Sequence, residues 1–239
     1  MVKHHPRLLL FFGFAILLGG LLWFLSVHSP LPPLHTFGVM PKPQLEPCTP
    51  PIDMDKIKFG ASLNRDVSSR MSEIWKLDQD SRVNVMQSEK PSGMEAWAEI
   101  ADQDRKNRVE VLTFLVTGKL FVDTDYMTAA FVFQHGNCPD HYKLANILAE
   151  KAMNMGNVLA RWLYAATMDR YLLSVSKPQK YGTQYAVGLD GKWHLAPFDP
   201  ATTDTERTKF NVPTLEEAEV KANTFPLPAP TSTSTSDAF

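Results

Sequence analysis

The chain is poor in cysteine, carries no surplus of basic charge, and lacks the short spacings that usually accompany catalysis. Two cysteines, Cys48 and Cys138, in 239 residues cannot build a disulfide framework or a four-cysteine zinc site. The formal net charge is −2, and beyond residue 30 there are 22 basic against 26 acidic residues. A protein that grips nucleic acid usually shows a basic stripe, so no nucleic-acid partner is expected. There is no H-E-x-x-H, C-x-x-C, G-x-S-x-G, P-loop or dinucleotide fingerprint, and no cofactor is expected. Hydrophobic content of 44% with 21% charge nonetheless suits a globular chain and excludes wholesale disorder.

What the sequence does contain is one long apolar run. Leu8 to Val27 reads LLLFFGFAILLGGLLWFLSV, without a charge. A helix of that length spans about 30 Å, the thickness of a bilayer's hydrocarbon core. Lys3 and Arg7 precede the run, so the positive-inside bias keeps residues 1–7 in the cytoplasm and sends the rest across. A cleaved signal peptide is the competing reading. It normally has a shorter apolar region, and a cut after Ser29 would place Pro30 directly beyond it. Residues 8–27 are therefore expected to be an uncleaved transmembrane signal-anchor.

Beyond it, residues 28–51 hold eight prolines, a stiff linker leaning toward polyproline II. Residues 52–223 are one domain of ordinary size, and residues 224–239 are a low-complexity tail expected to be disordered. If the domain is periplasmic, Cys48 and Cys138 could pair, but Cys48 falls in the linker and sequence does not give the geometry.

Inside the domain the periods are helical. Val109, Leu112, Leu115 and Val116 form a stripe that stops near Gly118. Asp123 fits an N-cap, with Asp125 in the first turn and Gly136 as the stop. Pro139 and Asp140 open the next helix, Gly156 ends it, and Asn157 can cap VLARWLYAATMDRYLLSV. Short links between these segments point to helical hairpins. After Pro178 the period becomes two. Tyr181–Val187 and Lys192–Phe198 flank a turn, and pairing Val187 with Lys192 puts Gln184, Ala186, Trp193 and Leu195 on one face. Thr203-x-x-Glu206 and Thr214-x-x-Glu217 read as capping boxes of two short helices. The expected class is mainly α, with a small C-terminal β-hairpin and an N-terminal transmembrane helix.

Few residues are candidates for chemistry. His135, Cys138 and His141 form H-x2-C-x2-H, a spacing open to a soft divalent metal, but no fourth ligand lies nearby and a buried Cys138 in a polar turn is the plainer reading. Asp169 and Arg170 sit mid-helix among apolar neighbours. They read as an ion pair fixing the hairpin onto the helices, or else Arg170 receives an anionic or carbonyl ligand through its planar fork. The segments LDQDSR (Leu77–Arg82) and ADQDRKNR (Ala101–Arg108) alternate in charge and read as solvated faces, with Asp104 and Arg108 spaced as an i,i+4 pair.

With these residues in view, the chain resembles a bacterial family of unknown function. The resemblance rests on Gln134-His135-Gly136, Asp169-Arg170-x-Leu172, Lys177-Pro178-Gln179-x-Tyr181-Gly182-Thr183-Gln184, Asp199-Pro200, Asp204, Glu206-Arg207 and Val212-Pro213. Asp78-Gln79-Asp80 and Asp102 to Arg108 resemble its DQ-x-DR element, and Asp125-Tyr126 with Ala129-Ala130 resembles the helix before its QH. It covers roughly residues 72–218. One departure is Ser176, where the family commonly has glycine. The resemblance implies a mostly helical domain and lends no mechanism.

It does single out Gln134, His135, Asp169, Arg170, Gln179, Tyr181 and Gln184, which converge as a buried hydrogen-bond network or as a small-molecule site. The leading expectation is a single-pass protein of the bacterial inner membrane, held by residues 8–27, with a periplasmic domain that binds an unknown ligand or protein partner without catalysis. The alternative is a hydrolase or transferase with His135 as general base, oriented by Asp169, and Arg170 as clamp.

Overall fold

The computed structural model describes residues 47–87, 94–188 and 190–225. A short 3-10 turn at Met54–Lys56 leads into α1 (Arg65–Gln87) and α2 (Met94–Val116). Next come α3 (Asp123–Gln134), α4 (Pro139–Asn154) and α5 (Leu159–Ser174), then the strands β1 (Tyr185–Val187) and β2 (Trp193–Leu195). Two short helices, α6 (Asp204–Lys209) and α7 (Leu215–Ala222), follow. The fold is mainly helical, with one two-stranded antiparallel sheet. Among the described residues no helix is long and apolar enough to cross a membrane. The run at 8–27 lies outside the described residues, as do linker residues 28–46 and tail residues 226–239.

The central element is α3, on which α1, α2, α4 and α5 all pack. Every residue from Asp125 to Gln134 is buried, which an amphipathic surface helix would not allow. It starts one residue earlier than expected: Val122, not Asp123, is the N-cap, and Asp125 Oδ2 accepts from the backbone N–H of Phe121 and Val122 at 3.1 and 3.3 Å. Pro139 opens α4 as expected, because its missing N–H costs nothing in a first turn. Asn157 caps α5 through its side chain, whose Oδ1 accepts from the N–H of Leu159 and Ala160 at 3.1 Å. Around α3 the core closes with Leu115, Leu120, Leu144, Leu148 and Leu163, all fully buried. Each such side chain contributes about 1.5–3 kcal/mol of transfer free energy.

The buried stripe of α2 differs from the expected one. Val109 is 48% exposed, and the face toward the core runs Ile100, Asp104, Asn107, Arg108, Val111, Leu115. Half of that face is polar, so its period is hidden from a hydrophobicity pattern. The same holds for α1, where Val67, Met71 and Ile74 continue into buried Asp78 and Arg82 while Leu77 is 51% exposed.

The hairpin forms with a register one residue away from the expected pairing. Tyr185 faces Leu195, Ala186 faces His194 and Val187 faces Trp193. The N–H of Gly188 donates to the Lys192 carbonyl at 2.8 Å, and Gly191 takes φ +71 in the three-residue loop this closes. A one-residue slip exchanges the faces of a strand. Tyr185 and Trp193 therefore face a cluster with Ala222 and Phe225, while Gln184 is drawn into a polar network. Phe225, assigned to the tail by composition, is 6% exposed and meets Tyr185 edge-on at 4.9 Å. Thr214 and Glu217 form the full capping box of α7. At α6 only half is made, since Thr203 accepts from the Glu206 N–H while the Glu206 carboxylate turns to Lys180 at 2.7 Å.

Candidate functional site

Two polar networks contain the residues singled out from sequence. The first joins α5 to the hairpin. Among the described residues no ion pair links Asp169 to Arg170, because adjacent helical residues point about 100° apart. Asp169 Oδ1 instead accepts from the backbone N–H of Lys180 and Tyr181 at 2.7 and 2.8 Å. Its Oδ2 accepts from the N–H and the hydroxyl of Thr183 at 2.9 and 2.7 Å. Burial pushes this carboxyl up in pKa, against those four bonds. Gln179 donates to the carbonyls of Gln184 and Ala196, both at 2.9 Å, and accepts from the Gln184 N–H at 2.8 Å. Gln184 Nε2 donates to the Thr183 hydroxyl at 3.0 Å. The fully buried guanidinium of Arg207 donates to the Tyr181 carbonyl. It can reach it because Gly182, at φ +75, has no Cβ; one placed there would lie 2.5 Å from Arg207 Nη1. Gln179, Tyr181, Gln184 and Asp169 thus clamp the 177–184 turn onto α5, the structural role expected of Asp169, with different partners.

The second network lies between the helices. His135, at the C-cap of α3, has Nδ1 3.1 Å from Oδ1 of Asp78 on α1, not beside Asp169. The same Asp78 oxygen accepts from Arg82 Nη1 at 2.8 Å, and Oδ2 accepts from Gln79 at 2.6 Å. Arg82 then bridges to α2, donating through Nη2 to Asp104 at 2.6 Å. From α2, Arg108 donates to the His135 carbonyl at 2.7 Å, and from α4 the Tyr142 hydroxyl donates to the Gly136 carbonyl at 2.8 Å. Each charge run therefore has two sides: Asp80, Gln103, Arg105 and Lys106 face solvent as expected, while Asp78, Gln79, Arg82, Asp104, Asn107 and Arg108 are buried, and Asp104 pairs with Arg82 rather than with Arg108. Arg170 of α5 approaches this cluster closely enough to act electrostatically on Tyr142 and Arg82.

The electrostatics follow from burial and pairing. Burial opposes the charge on Asp78, yet Arg82 and His135 hold its carboxyl below the usual range. Burial, reinforced by Arg82, keeps the His135 imidazole below its ordinary value despite Asp78. The neutral ring bonds a carboxylate through Nδ1–H, which leaves Nε2 as a bare lone pair. Among the described residues that Nε2 has no hydrogen-bond partner, nor have the buried atoms Arg82 Nε, Asn107 Nδ2 and Gln134 Nε2. Sequence reasoning found His135 and Gln134 but missed Asp78, Arg82 and Asn107. The available signal was that Asp78 and Arg82 lie in phase with Met71 and Ile74.

The weak metal candidates are overturned. Cys138 is joined to Cys48 in a disulfide, so it offers no thiolate. His141 is taken as well: its Nε2–H donates to the Pro50 carbonyl at 2.7 Å, and its Nδ1 accepts from the Asn137 N–H at 3.3 Å. Burial brings its pKa down to about 4. In the same way Asp78, Asp104 and His135 lie close together, but Arg82 occupies the position between the carboxylates that a cation would need.

The disulfide, with hydrogen bonds from Arg108 to the Thr49 carbonyl and from Asn137 to the Pro47 carbonyl, straps residues 47–50 across the α3–α4 junction. No family model, curated protein or solved structure matches the chain, so its own geometry is the basis for a functional reading.

Proposed function

We propose that the protein is a non-catalytic binding module held at the outer face of a bacterial inner membrane by residues 8–27, and that the polar cluster between α1, α2 and α3 is where it takes a small ligand. One observation carries the binding reading. Among the described residues four buried nitrogens of this cluster, Arg82 Nε, Asn107 Nδ2, Gln134 Nε2 and His135 Nε2, have no hydrogen-bond partner, against Nε and Nη2 of the single side chain Arg207 at the Asp169 clamp. A scaffold that needed only stability would leave few such atoms, since each costs about 1–3 kcal/mol when unsatisfied. The Asp169 network, whose carboxylate is saturated by the turn, is a clamp and not part of the site. The disulfide supports the periplasmic reading, because such bonds persist in oxidising compartments.

A second reading is favoured by the same geometry. A carboxylate that fixes an imidazole and leaves Nε2 free is what a general base requires. In a hydrolase or transferase His135 would be that base, oriented by Asp78 in place of Asp169.

The test uses the full-length protein in detergent micelles. A panel of small acids, sugars and amides is screened by thermal shift, in wild type and in His135→Gln. A ligand whose stabilisation disappears in the variant supports the binding module. Consumption of such a ligand by the wild type alone would favour the enzyme. A C-terminal phosphatase fusion tests topology separately and must be active only beyond the cytoplasm.

A further inference from the structure

We propose that one end of the domain, where residues 58–60, the loop after α2 and the α4–α5 turn meet, docks on anionic lipid headgroups of the membrane that carries the protein. The proposal rests on the reading of residues 8–27 as an anchor, and adds a second, reversible contact made by the domain itself.

Three segments are fastened together at this end. The Lys58 N–H donates to the Leu115 carbonyl at 3.1 Å and the Gly60 N–H to the Leu120 carbonyl at 2.9 Å, so residues 58–60 run beside the loop after α2. From the last turn of α4, Lys151 Nζ lies 5.4 Å from the centre of the Phe59 ring and 5.8 Å from that of Tyr126. Met155 follows Lys151 by one turn on the same side of α4. Asn157 ties the turn to the start of α3, its Nδ2 donating to Asp123 Oδ2 at 2.8 Å.

What this end shows to solvent is apolar and basic. Phe59 and Met155 are exposed, and Val158 and Leu159 are 61% and 57% exposed. A Cβ placed on Gly156, in the same turn, would meet nothing within 4 Å, so the turn projects. Exposed apolar residues are ordinary when scattered, but a group of them on one projecting end marks a contact surface. Lys58 and Lys119 are exposed beside them, and a Cβ at Gly118 would lie 3.5 Å from that of Lys58. Among the described residues no carboxylate pairs with Lys58, Lys119 or Lys151. With Arg161 these lysines outnumber Asp123 and Glu150 by two, in a chain whose net charge is −2.

A bilayer bearing anionic lipid matches both properties. Lysines near such a surface are drawn to its phosphates, while Phe59, Met155, Val158 and Leu159 enter the boundary between headgroups and acyl chains. Lysine stems can follow them in and leave the ammonium groups at headgroup level. A projecting turn suits that partner better than it suits a protein, which would need a matching hollow. The tether permits the contact. It joins the domain at Cys138, beside the start of α4, and the length of α4 places Met155 about 24 Å away. Residues 28–46, at about 3.1 Å each when extended, are long enough to let the far end turn back to the bilayer.

The full-length protein, reconstituted into vesicles of phosphatidylcholine alone or with phosphatidylglycerol added, tests this. A fluorescent label on Val158→Cys, the one free thiol because Cys48 and Cys138 are bonded, reports contact through quenching by nitroxide-bearing lipid. Quenching should appear with phosphatidylglycerol, be weak in phosphatidylcholine, and be lost in high salt. The ratio of docked to free domain should fall about fivefold for each of Lys58→Gln, Lys119→Gln and Lys151→Gln, the usual share of one lysine at an anionic leaflet. Quenching that is absent, or equal in both vesicles and indifferent to the three variants, overturns the proposal. So does shielding of the label that grows with protein density and not with anionic lipid, which would make this end an interface with protein. Alkaline washing tests the anchor by itself. Protein released by it lacks a transmembrane anchor, whereas protein retained but unquenched keeps the anchor and loses this docking surface.

Discussion

Asp78 and His135, 57 residues apart in sequence, meet at 3.1 Å through buried side chains, and the oxygen they share is also the one that holds Arg82. Three helices therefore depend on one carboxylate. Asp78→Ala should strip an acceptor from a buried cation and an imidazole at once, at a cost of about 3–5 kcal/mol. Urea unfolding of the purified chain measures this. A loss below 1 kcal/mol, about the value of an exposed pair, would mean that water reaches the cluster.

Asp169→Ala should be comparably damaging for a different reason. Four donors, three of them backbone N–H groups of the 180–183 turn, would lose their acceptor. At about 1 kcal/mol or more for each buried donor, the loss is about 3–5 kcal/mol. Hydrogen exchange at the amides of Lys180, Tyr181 and Thr183 should accelerate ahead of the rest of the domain.

Stability should fall on mild acidification. His141 keeps a folded pKa of about 4, whereas an unfolded histidine protonates near its ordinary value of 6.5. A depressed pKa means that the unfolded chain binds the proton first. The full contribution of His141 is present above pH 6.5 and is lost as pH falls toward 4, at most about 3 kcal/mol. His135 shifts in the same direction. Denaturant midpoints measured between pH 7 and 4 should follow this slope, and His141→Gln should flatten part of it. A midpoint independent of pH would contradict the burial of both rings.

Ser176→Gly should stabilise the protein. Ser176 follows α5 at φ +59, its N–H donates to the Leu173 carbonyl at 3.0 Å, and the Lys177 N–H donates to Leu172 at 2.9 Å. This is a Schellman ending, whose left-handed position favours glycine. Relief of the serine's strain, offset by glycine's greater freedom when unfolded, leaves a gain of about 0.5 kcal/mol. A small rise in melting temperature is expected, and a fall would show that the serine hydroxyl has a partner worth more than the strain.

Breaking the Cys48–Cys138 bond should be among the costliest single changes. It closes a loop with a sequence separation of 90, for which chain entropy assigns about 4–5 kcal/mol. The Cys48→Ala, Cys138→Ala double variant, compared with wild type in chemical unfolding, reads the difference. An unchanged midpoint would mean that the hydrogen bonds of residues 47–50 hold the strap unaided.

How much of this was legible in the sequence depended on whether a buried face was apolar. The boundaries of α4 and α5 followed from Pro139 and Asn157, whose backbone chemistry is local. The faces of α1 and α2 did not follow, because Asp78, Arg82, Asp104 and Arg108 occupy positions where a pattern reader expects leucine and valine. Charge pairs that look solvated in one helix become buried when their partners sit on another; the phase of Asp78 and Arg82 with Met71 and Ile74 marks the face, but the partner helix is not readable from it. The hairpin register failed for a similarly physical reason: it is set by the closing pair Gly188 and Lys192, and a shift of one residue reverses every side chain. His135 was found as a candidate because histidines are few, but its carboxylate had to come from a helix 57 residues upstream.

The strap at Cys48 also decides how mechanical force travels through the molecule. A pull on the chain before Cys48 does not enter the domain through the 3-10 turn and α1; it crosses the sulfurs to Cys138 and continues from the start of α4. Everything between the two cysteines, including α1, α2, α3 and the Asp78–His135 contact, lies inside a covalently closed loop and bears no tension along its backbone. Stretched between its two ends, the intact protein should extend about 300 Å less than the reduced one, at about 3.4 Å for each of the roughly 90 sequestered residues. The segment that yields under load is then α4 onward, while the polar cluster is shielded from tugging along the tether.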